Sequence, residues 1–316
     1  MIIISGENVA DLLPAGPGLL RTALGGGPAN TAVAAATLGG DVSFAARFGS
    51  DALGRAFRSR LSAAGVDLSH ARDLTAPSTI ALATLDTAGT ASYDFWLQGA
   101  ADFAAADLPD VGPDDIRHIG SLAAYWPPGA DCVESWVDQT PGTVTLDVNL
   151  RPIVIERQPD AVNRLERLVS RAHVVKASDE DLGLAYPGTE PEETAYRWLN
   201  AGAEAGPSLV VITLGAKGAV GLTRDGRRVH AAAPAVEIVD TIGAGDAAMG
   251  ALLCKLDATS VAAVCENLDE TVRYIVAVAS LACTRAGAYA PSASEVEEFG
   301  LAAGDSSKPR NQLPGR

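Results

Sequence analysis

The chain has 316 residues, 47% of them hydrophobic and 5% aromatic, enough to bury a sizeable core and unlike a disordered or collagen-like polymer. With 24 Lys and Arg against 39 Asp and Glu, the formal net charge is −15. No basic stripe offsets it, which argues against nucleic acid or an anionic membrane as partner. Cys132, Cys254, Cys265 and Cys283 show no Cys-x-x-Cys spacing and share the chain with four histidines. That pattern fits neither a zinc site nor a disulfide framework and points to a reducing cytoplasm. The opening MIIISGENVADL lacks a basic leader and a small-residue cleavage site, so it reads as a first strand rather than an export signal. No apolar run reaches transmembrane length.

In chain order, Met1 to Ser5 is a β-branched run expected of a strand buried on both faces. Gly25-Gly26-Gly27-Pro28 precedes an Ala-rich helix over Ala29 to Leu38, closed by Gly39-Gly40 and followed by a strand over Val42 to Ala46. Two alternating segments, Thr79 to Asp86 and Ala91 to Leu97, joined by Thr87 to Thr90, predict an antiparallel hairpin, an edge or lid element. The strand and helix alternation then resumes. Strands are expected at Thr143 to Val148, His173 to Lys176 and Leu209 to Thr213, with helices at Asp160 to Arg171 and Glu192 to Ala203. A strand over Val236 to Val239 and helices over Ala244 to Leu256 and Leu268 to Arg285 follow. From Gly304 the sequence loses periodicity and reads as a frayed tail. The alternation predicts an α/β domain with a mainly parallel sheet.

The segment richest in chemistry is Asp240-Thr241-Ile242-Gly243-Ala244-Gly245-Asp246. Its glycines allow a sharp turn that leaves the first helical N–H groups outward, an anion site reinforced by the helix dipole, with the Asp246 carboxylate beside it. A base next to a phosphate-binding helix end suits phosphoryl transfer to an alcohol; the same residues could equally form a helix cap after a Gly turn. A second segment, Gly25 to Asn30, permits close approach of a ligand to the backbone, and Asn30 offers a donor and an acceptor suited to a polyol. It also fits a tight turn with Pro in the first helical turn. There is no P-loop, and the third glycine of a dinucleotide fingerprint is missing.

Together these segments resemble the PfkB (ribokinase-like) carbohydrate kinase family from about Ile2 to Glu297. One signature is similar to Gly25 to Gly54, the other to Asp240 to Gly250. The resemblance implies a ribokinase-like α/β sandwich with helices on both faces of the sheet, a single domain over 1–303, and lid elements around 9–22 and 78–102. It implies ATP as donor, Mg²⁺ as cofactor, a sugar hydroxyl as acceptor and a homodimer formed through the lid. Asp246 matches the family's catalytic base; Gly243, Ala244 and Gly245 match its anion hole; Asp11, Gly26, Gly27 and Asn30 match sugar-contacting positions. Thr213, Gly215 and Gly218 resemble the strand-end turn beside the nucleotide, which otherwise reads as a hairpin turn. Ser178 and Asp181 stand where the family usually has Asn-x-x-Glu, organising Mg²⁺ and phosphate through water; Ser178 also suits a helix N-cap. The resemblance adds a potassium-type cation site near Asp240 and the Ala286-Gly287-Ala288 turn.

Asp147-Val148-Asn149-Leu150-Arg151-Pro152 resembles the Asp-x-Asn-x-Arg of fructokinases and 2-keto-3-deoxygluconate kinases, where Arg151 would face phosphate or a sugar acid, or merely charge a loop. Tyr93 to Asp102 carries no cation, whereas lids of those two subfamilies commonly supply an Arg. A neutral, fructose-like sugar is therefore expected, with Trp96 and Phe95 either covering a sugar face or filling the hairpin core. Rival readings are a 2-keto-3-deoxygluconate, nucleoside or pyridoxal kinase on the same scaffold, and a catalytically silent sugar-binding protein.

Overall fold

The computed structural model describes residues 1–85, 91–105, 107–139, 142–201 and 206–305. The strands are β1 (Ile2–Ile4), β2 (Val9–Pro14), β3 (Leu20–Gly25), β4 (Val42–Phe44), β5 (Arg47–Gly49), β6 (Arg72–Leu74) and β7 (Thr79–Leu85). They continue as β8 (Ala91–Trp96), β9 (Ile116–Gly120), β10 (Thr143–Asp147), β11 (Val174–Ser178), β12 (Leu209–Thr213), β13 (Ala219–Thr223) and β14 (Arg228–Ala231). The α-helices are α1 (Gly27–Thr37), α2 (Ala52–Ala63), α3 (Gly129–Gln139), α4 (Pro152–Arg157), α5 (Ala161–Arg171) and α6 (Asp179–Ala185). After them come α7 (Pro191–Leu199), α8 (Ala244–Ala258), α9 (Val261–Glu266), α10 (Leu268–Ala282) and α11 (Ala293–Asp305).

Eight strands form the main sheet in the order β14-β13-β12-β11-β10-β9-β1-β4. All neighbours from β12 to β4 are parallel, while β13 and β14 close one edge antiparallel. Its central strands send alternate side chains into two cores: Ile3, Val210 and Ile212 pack on one side, Ile2, Ile4, Leu209 and Val211 on the other. That is why these runs are continuously apolar. Residues of α3, α5, α6 and α7 fill the first core, and residues of α1, α8 and α10 the second. The layers are α/β/α.

A second sheet, β3-β2-β7-β8, stands beyond the main one. The expected hairpin is its β7–β8 half; the turn over Thr87 to Thr90 lies outside the described residues. The β2–β3 hairpin has no clean alternation in VADLLP, which hid it from a reading by periodicity. One buried carboxylate ties this sheet to the main fold. Asp102 accepts from the Asn8 backbone N–H at 2.7 Å and from the Thr79 hydroxyl at 2.6 Å, and its carbonyl receives Arg47 Nη2 at 2.8 Å.

Several boundaries differ from expectation. Helix α1 starts at Gly27 because Pro28 occupies the first turn, where its missing N–H is harmless. Val236 to Val239 forms no strand and pairs with none among the described residues; Pro234 precedes it, and Ile238 and Val239 are exposed. The region expected as a tail begins in helix, since α11 runs to Asp305; residues 306–316 lie outside the described ones.

Candidate active site

The carboxyl ends of the parallel strands open onto a cleft of roughly 1970 Å³ that also runs beneath the second sheet. Ligands of open α/β sheets bind at such an edge because loops and helix N-termini converge there. The cleft gathers Asp11, Gly26, Gly27, Asn30, Trp96, Arg151, Ser178, Thr213, Gly215, Gly218, Asp240, Gly243, Ala244, Gly245 and Asp246, as well as Asp181. Every site residue expected from sequence therefore borders one space.

At its centre α8 begins. Gly243, the N-cap, has φ 79°, and a Cβ there would meet Ala288 Cβ at 2.7 Å, so only glycine fits this turn. The Ala244 N–H is taken by the Thr241 carbonyl, while those of Gly245 and Asp246 find no backbone acceptor. A helix end with such open N–H groups suits an anion. Asp246, in this first turn, accepts a 2.8 Å hydrogen bond from Asn30 Nδ2, which projects from the first turn of α1. Burial raises the Asp246 carboxyl above the ordinary aspartate value, opposed by the Asn30 hydrogen bond and the charges of Lys176, Arg151 and Arg60. A carboxylate so placed is a stronger base than a solvated one.

Beneath this end lies a buried ion pair. Lys176 Nζ donates to both Asp147 oxygens at 2.8 Å, the two side chains being 4% and 5% exposed. Burial lifts the Asp147 carboxyl to about 6 despite the lysine, with Asp181 and Asp246 adding to the rise. Asp181 receives the backbone N–H of Leu150 on one oxygen and that of Ser178 on the other, each at 2.8 Å. Ser178 Oγ accepts from the Asp181 N–H at 3.0 Å in return, a capping box at the start of α6. Both residues are thus structural in this geometry, with lone pairs left for water. The Asp240 carboxylate accepts from Gly287 N–H at 2.7 Å and Ile242 N–H at 3.0 Å, joining the two segments expected to meet there.

The second sheet corrects two expectations about the acceptor side. Strand register puts Asp11 opposite Ala81 and Ala81 opposite Phe95, so Asp11, Phe95 and Tyr93 share a face. Trp96 pairs with Ile80, on the opposite face, and is 57% exposed; it borders the cleft but does not project beside Asp11. Tyr93, whose ring packs 6.1 Å from Phe95, is the better cover for a ligand. The lid does hold a cation: Arg21, opposite Leu13 on β3, stands on the Asp11 face and lines the cleft. The β7–β8 hairpin alone could not show it. Asp11 is pushed up to about 6 by burial, with the Arg151 charge opposing.

Sequence reasoning assigned no role to Ser121, Asn149 or Lys176, which line the cleft, nor to Arg60 behind it. Asn149 stood in the Asp-x-Asn-x-Arg motif without a role of its own, whereas Ser121 was findable only through its positive φ. Val236, Ile238, Ala279 and Cys283 also line the cleft, with nothing local to mark them. Among the described residues no group of three or more His, Cys, Asp or Glu could hold a metal, and no helix is long and apolar enough to cross a membrane.

A buried carboxylate at an open helix end, inside a cleft at the carboxyl ends of a parallel sheet and under a small second sheet, fits an ATP-dependent sugar kinase of the ribokinase-like class. The pfkB family carbohydrate kinase model matches residues 18–295, and the chain belongs to that family. A fructokinase of Rhizobium leguminosarum bv. trifolii is 36% identical over 265 residues, 81% of this chain and 79% of its own length. The structure of a Vibrio cholerae O395 fructokinase with fructose, ADP and calcium ion bound superposes with a TM-score of 0.83 at 30% identity, covering 94% of this chain and 98% of that one. Aminoimidazole riboside kinase from Salmonella enterica, complexed with aminoimidazole riboside and an ATP analog, superposes with a TM-score of 0.82 at 26% identity, covering 95% and 99%.

Proposed function

We propose that the chain transfers the γ-phosphoryl group of ATP to a primary hydroxyl of a neutral sugar, fructose being the acceptor. The observation that carries this reading is Asp246, hydrogen-bonded to Asn30 at a helix end where the Gly245 and Asp246 N–H groups have no backbone acceptor. In the step, the sugar oxygen bonds to the γ-phosphorus as its bond to the bridging oxygen breaks. The hydroxyl proton goes to Asp246 and ADP leaves, its phosphate held by the α8 amides. Asp11 and Asn30 orient the hydroxyls while Tyr93 and Phe95 exclude water. Arg151 lies close enough to Asp11 and Asp246 to favour their ionised forms, which leaves it little reason to recruit an acidic acceptor.

Adenosine would rest on Val236, Ile238 and Ala279, with Thr213, Gly215 and Gly218 beside it. Mg²⁺ would be held by the phosphates and by waters on Asp181, supplying charge neutralisation at the β- and γ-oxygens. The Asp240 and Gly287 junction suits potassium, an ion present in a solved form of a Vibrio cholerae fructokinase double-mutant. The protein would work in the cytoplasm, where ATP is available and its four free cysteines stay reduced.

The test compares kcat/KM for fructose, ribose, aminoimidazole riboside and 2-keto-3-deoxygluconate at fixed ATP and Mg²⁺. Fructose should lead. If the sugar acid wins by more than about tenfold, ~1.4 kcal/mol in transition-state binding, Arg151 and Arg21 become its recognition pair and the neutral-sugar reading is wrong. Preference for the riboside would mark a nucleoside kinase, and binding without turnover a silent sugar-binding protein.

A further inference from the structure

Behind the base stands a residue outside both sequence signatures. Arg60, in the last turn of α2, reaches across to α1 and donates from Nη2 to Asn30 Oδ1 at 2.8 Å. Asn30 Nδ2 in turn donates to Asp246 Oδ2 at 2.8 Å. Three elements distant in sequence thus meet in one chain of hydrogen bonds.

We infer that Arg60 is a positioning residue for phosphoryl transfer: by fixing the amide of Asn30 it presents an N–H, and not the carbonyl, to Asp246. The argument is one of donor and acceptor types. A guanidinium can only donate and a carboxylate can only accept, so a single orientation of the Asn30 amide satisfies both neighbours. Without Arg60 the amide could turn, placing its carbonyl oxygen against the base. Asn30 Nδ2 also keeps a second N–H for a sugar hydroxyl, so the same lock would orient base and acceptor together.

The guanidinium is poorly compensated as mere scaffold. Nη1 is buried without a hydrogen-bond partner, and the Nη2 bond goes to a neutral amide. Burial lowers the Arg60 pKa, while the nearby Asp246 charge works against that shift. The groups facing Asp246 are Asn30 from α1, Lys176 from β11, Arg151 from the turn before α4 and Arg60 from α2, with Asp147 of β10 also close. Losing one of the three cations, and the amide orientation with it, makes the ionised carboxylate less favourable. Both effects push its titration to higher pH.

This inference rests on Asp246 being the base, and the experiment separates the two. The pH dependence of kcat/KM for fructose is measured on the full chain for the unaltered protein, Asp246→Asn, Arg60→Met and Arg60→Lys. The expected result is an Arg60→Met enzyme slowed by about tenfold at neutral pH, with its acidic limb moved up by about half a pH unit or more and KM for ATP unchanged. Arg60→Lys should restore the limb. A folded Arg60→Met protein with an unmoved limb overturns the inference while an inactive Asp246→Asn keeps the base reading intact. An active Asp246→Asn overturns both. Should Arg60→Met not fold, Arg60→Gln decides: its amide can accept as well as donate, so it neither fixes the Asn30 orientation nor carries the charge; its limb must move up, and an unmoved limb overturns the inference.

Discussion

Burial moves the carboxylates of this protein in one direction and for different ends. Asp246 is raised while still open to the cleft. Its activity limb should therefore appear at higher pH than an ordinary aspartate allows, because the base fails as it takes a proton. Asp246→Asn keeps the shape and removes the basicity, so kcat should fall by about 10² or more with sugar affinity little changed, measured by turnover and calorimetric binding. Glu7 is 1% exposed and accepts from the Ala123 N–H at 2.9 Å. Burial pushes it up to about 7, the hydrogen bonds of Ser121 and Ala123 opposing. The folded state then holds its proton more tightly than the unfolded chain. Stability is highest below the unfolded value of about 4.5, declines as pH rises through 7, and above that the cost is about 3 kcal/mol. Glu7→Gln should accordingly raise the unfolding temperature at pH 8 and change it little at pH 4. An equal shift at both pH values would contradict the ionisation argument.

The elements place these residues by their ends rather than their lengths. Helices α1 and α8 bring their N-termini together, and Asn30 and Asp246 sit in the two first turns. Gly243 makes the α8 end possible. Gly243→Ala would force a side chain into φ 79° and against Ala288, whose Cα would lie 2.8 Å from the new Cβ. The expected cost is about 2 kcal/mol or more of stability, with turnover lost as the amides rotate away; chemical denaturation and steady-state assays read the two separately. Sequence reasoning located this turn from its glycines and the β7–β8 hairpin from its alternation. It took Val236 to Val239 for a strand because β-branched residues suit a strand anywhere. That segment instead runs unpaired past Cys283, whose carbonyl receives the Val239 N–H at 2.9 Å.

At the scale of the molecule, the second sheet carries exposed apolar side chains on the face opposite Asp11, part of which packs on the second core through Ala10, Leu24 and Ile80. Leu20, 53% exposed, and Trp96, 57% exposed, share that face by register. Apolar side chains grouped on one sheet face favour covering by another protein surface. A homodimer through this face would run near twice 32.3 kDa by sedimentation. Trp96→Glu should return it to monomer, and an unaltered protein already monomeric at micromolar concentration would refute the dimer.

The sequence by itself determined the α/β class, most of the strand and helix alternation though not β9, the glycine turn before Asp246, and the family. Each of these is written locally, in hydrophobic period, in residues tolerant of a left-handed turn, or in a contiguous motif. The tertiary structure alone decided which side of the lid Trp96 occupies, that Arg21 joins the cleft, that Asp181 spends its oxygens on backbone N–H groups, and that Arg60 stands behind Asn30. A face is fixed by strand register, and a hydrogen bond by the meeting of elements far apart in the chain. Neither quantity exists until the helices and sheets have packed.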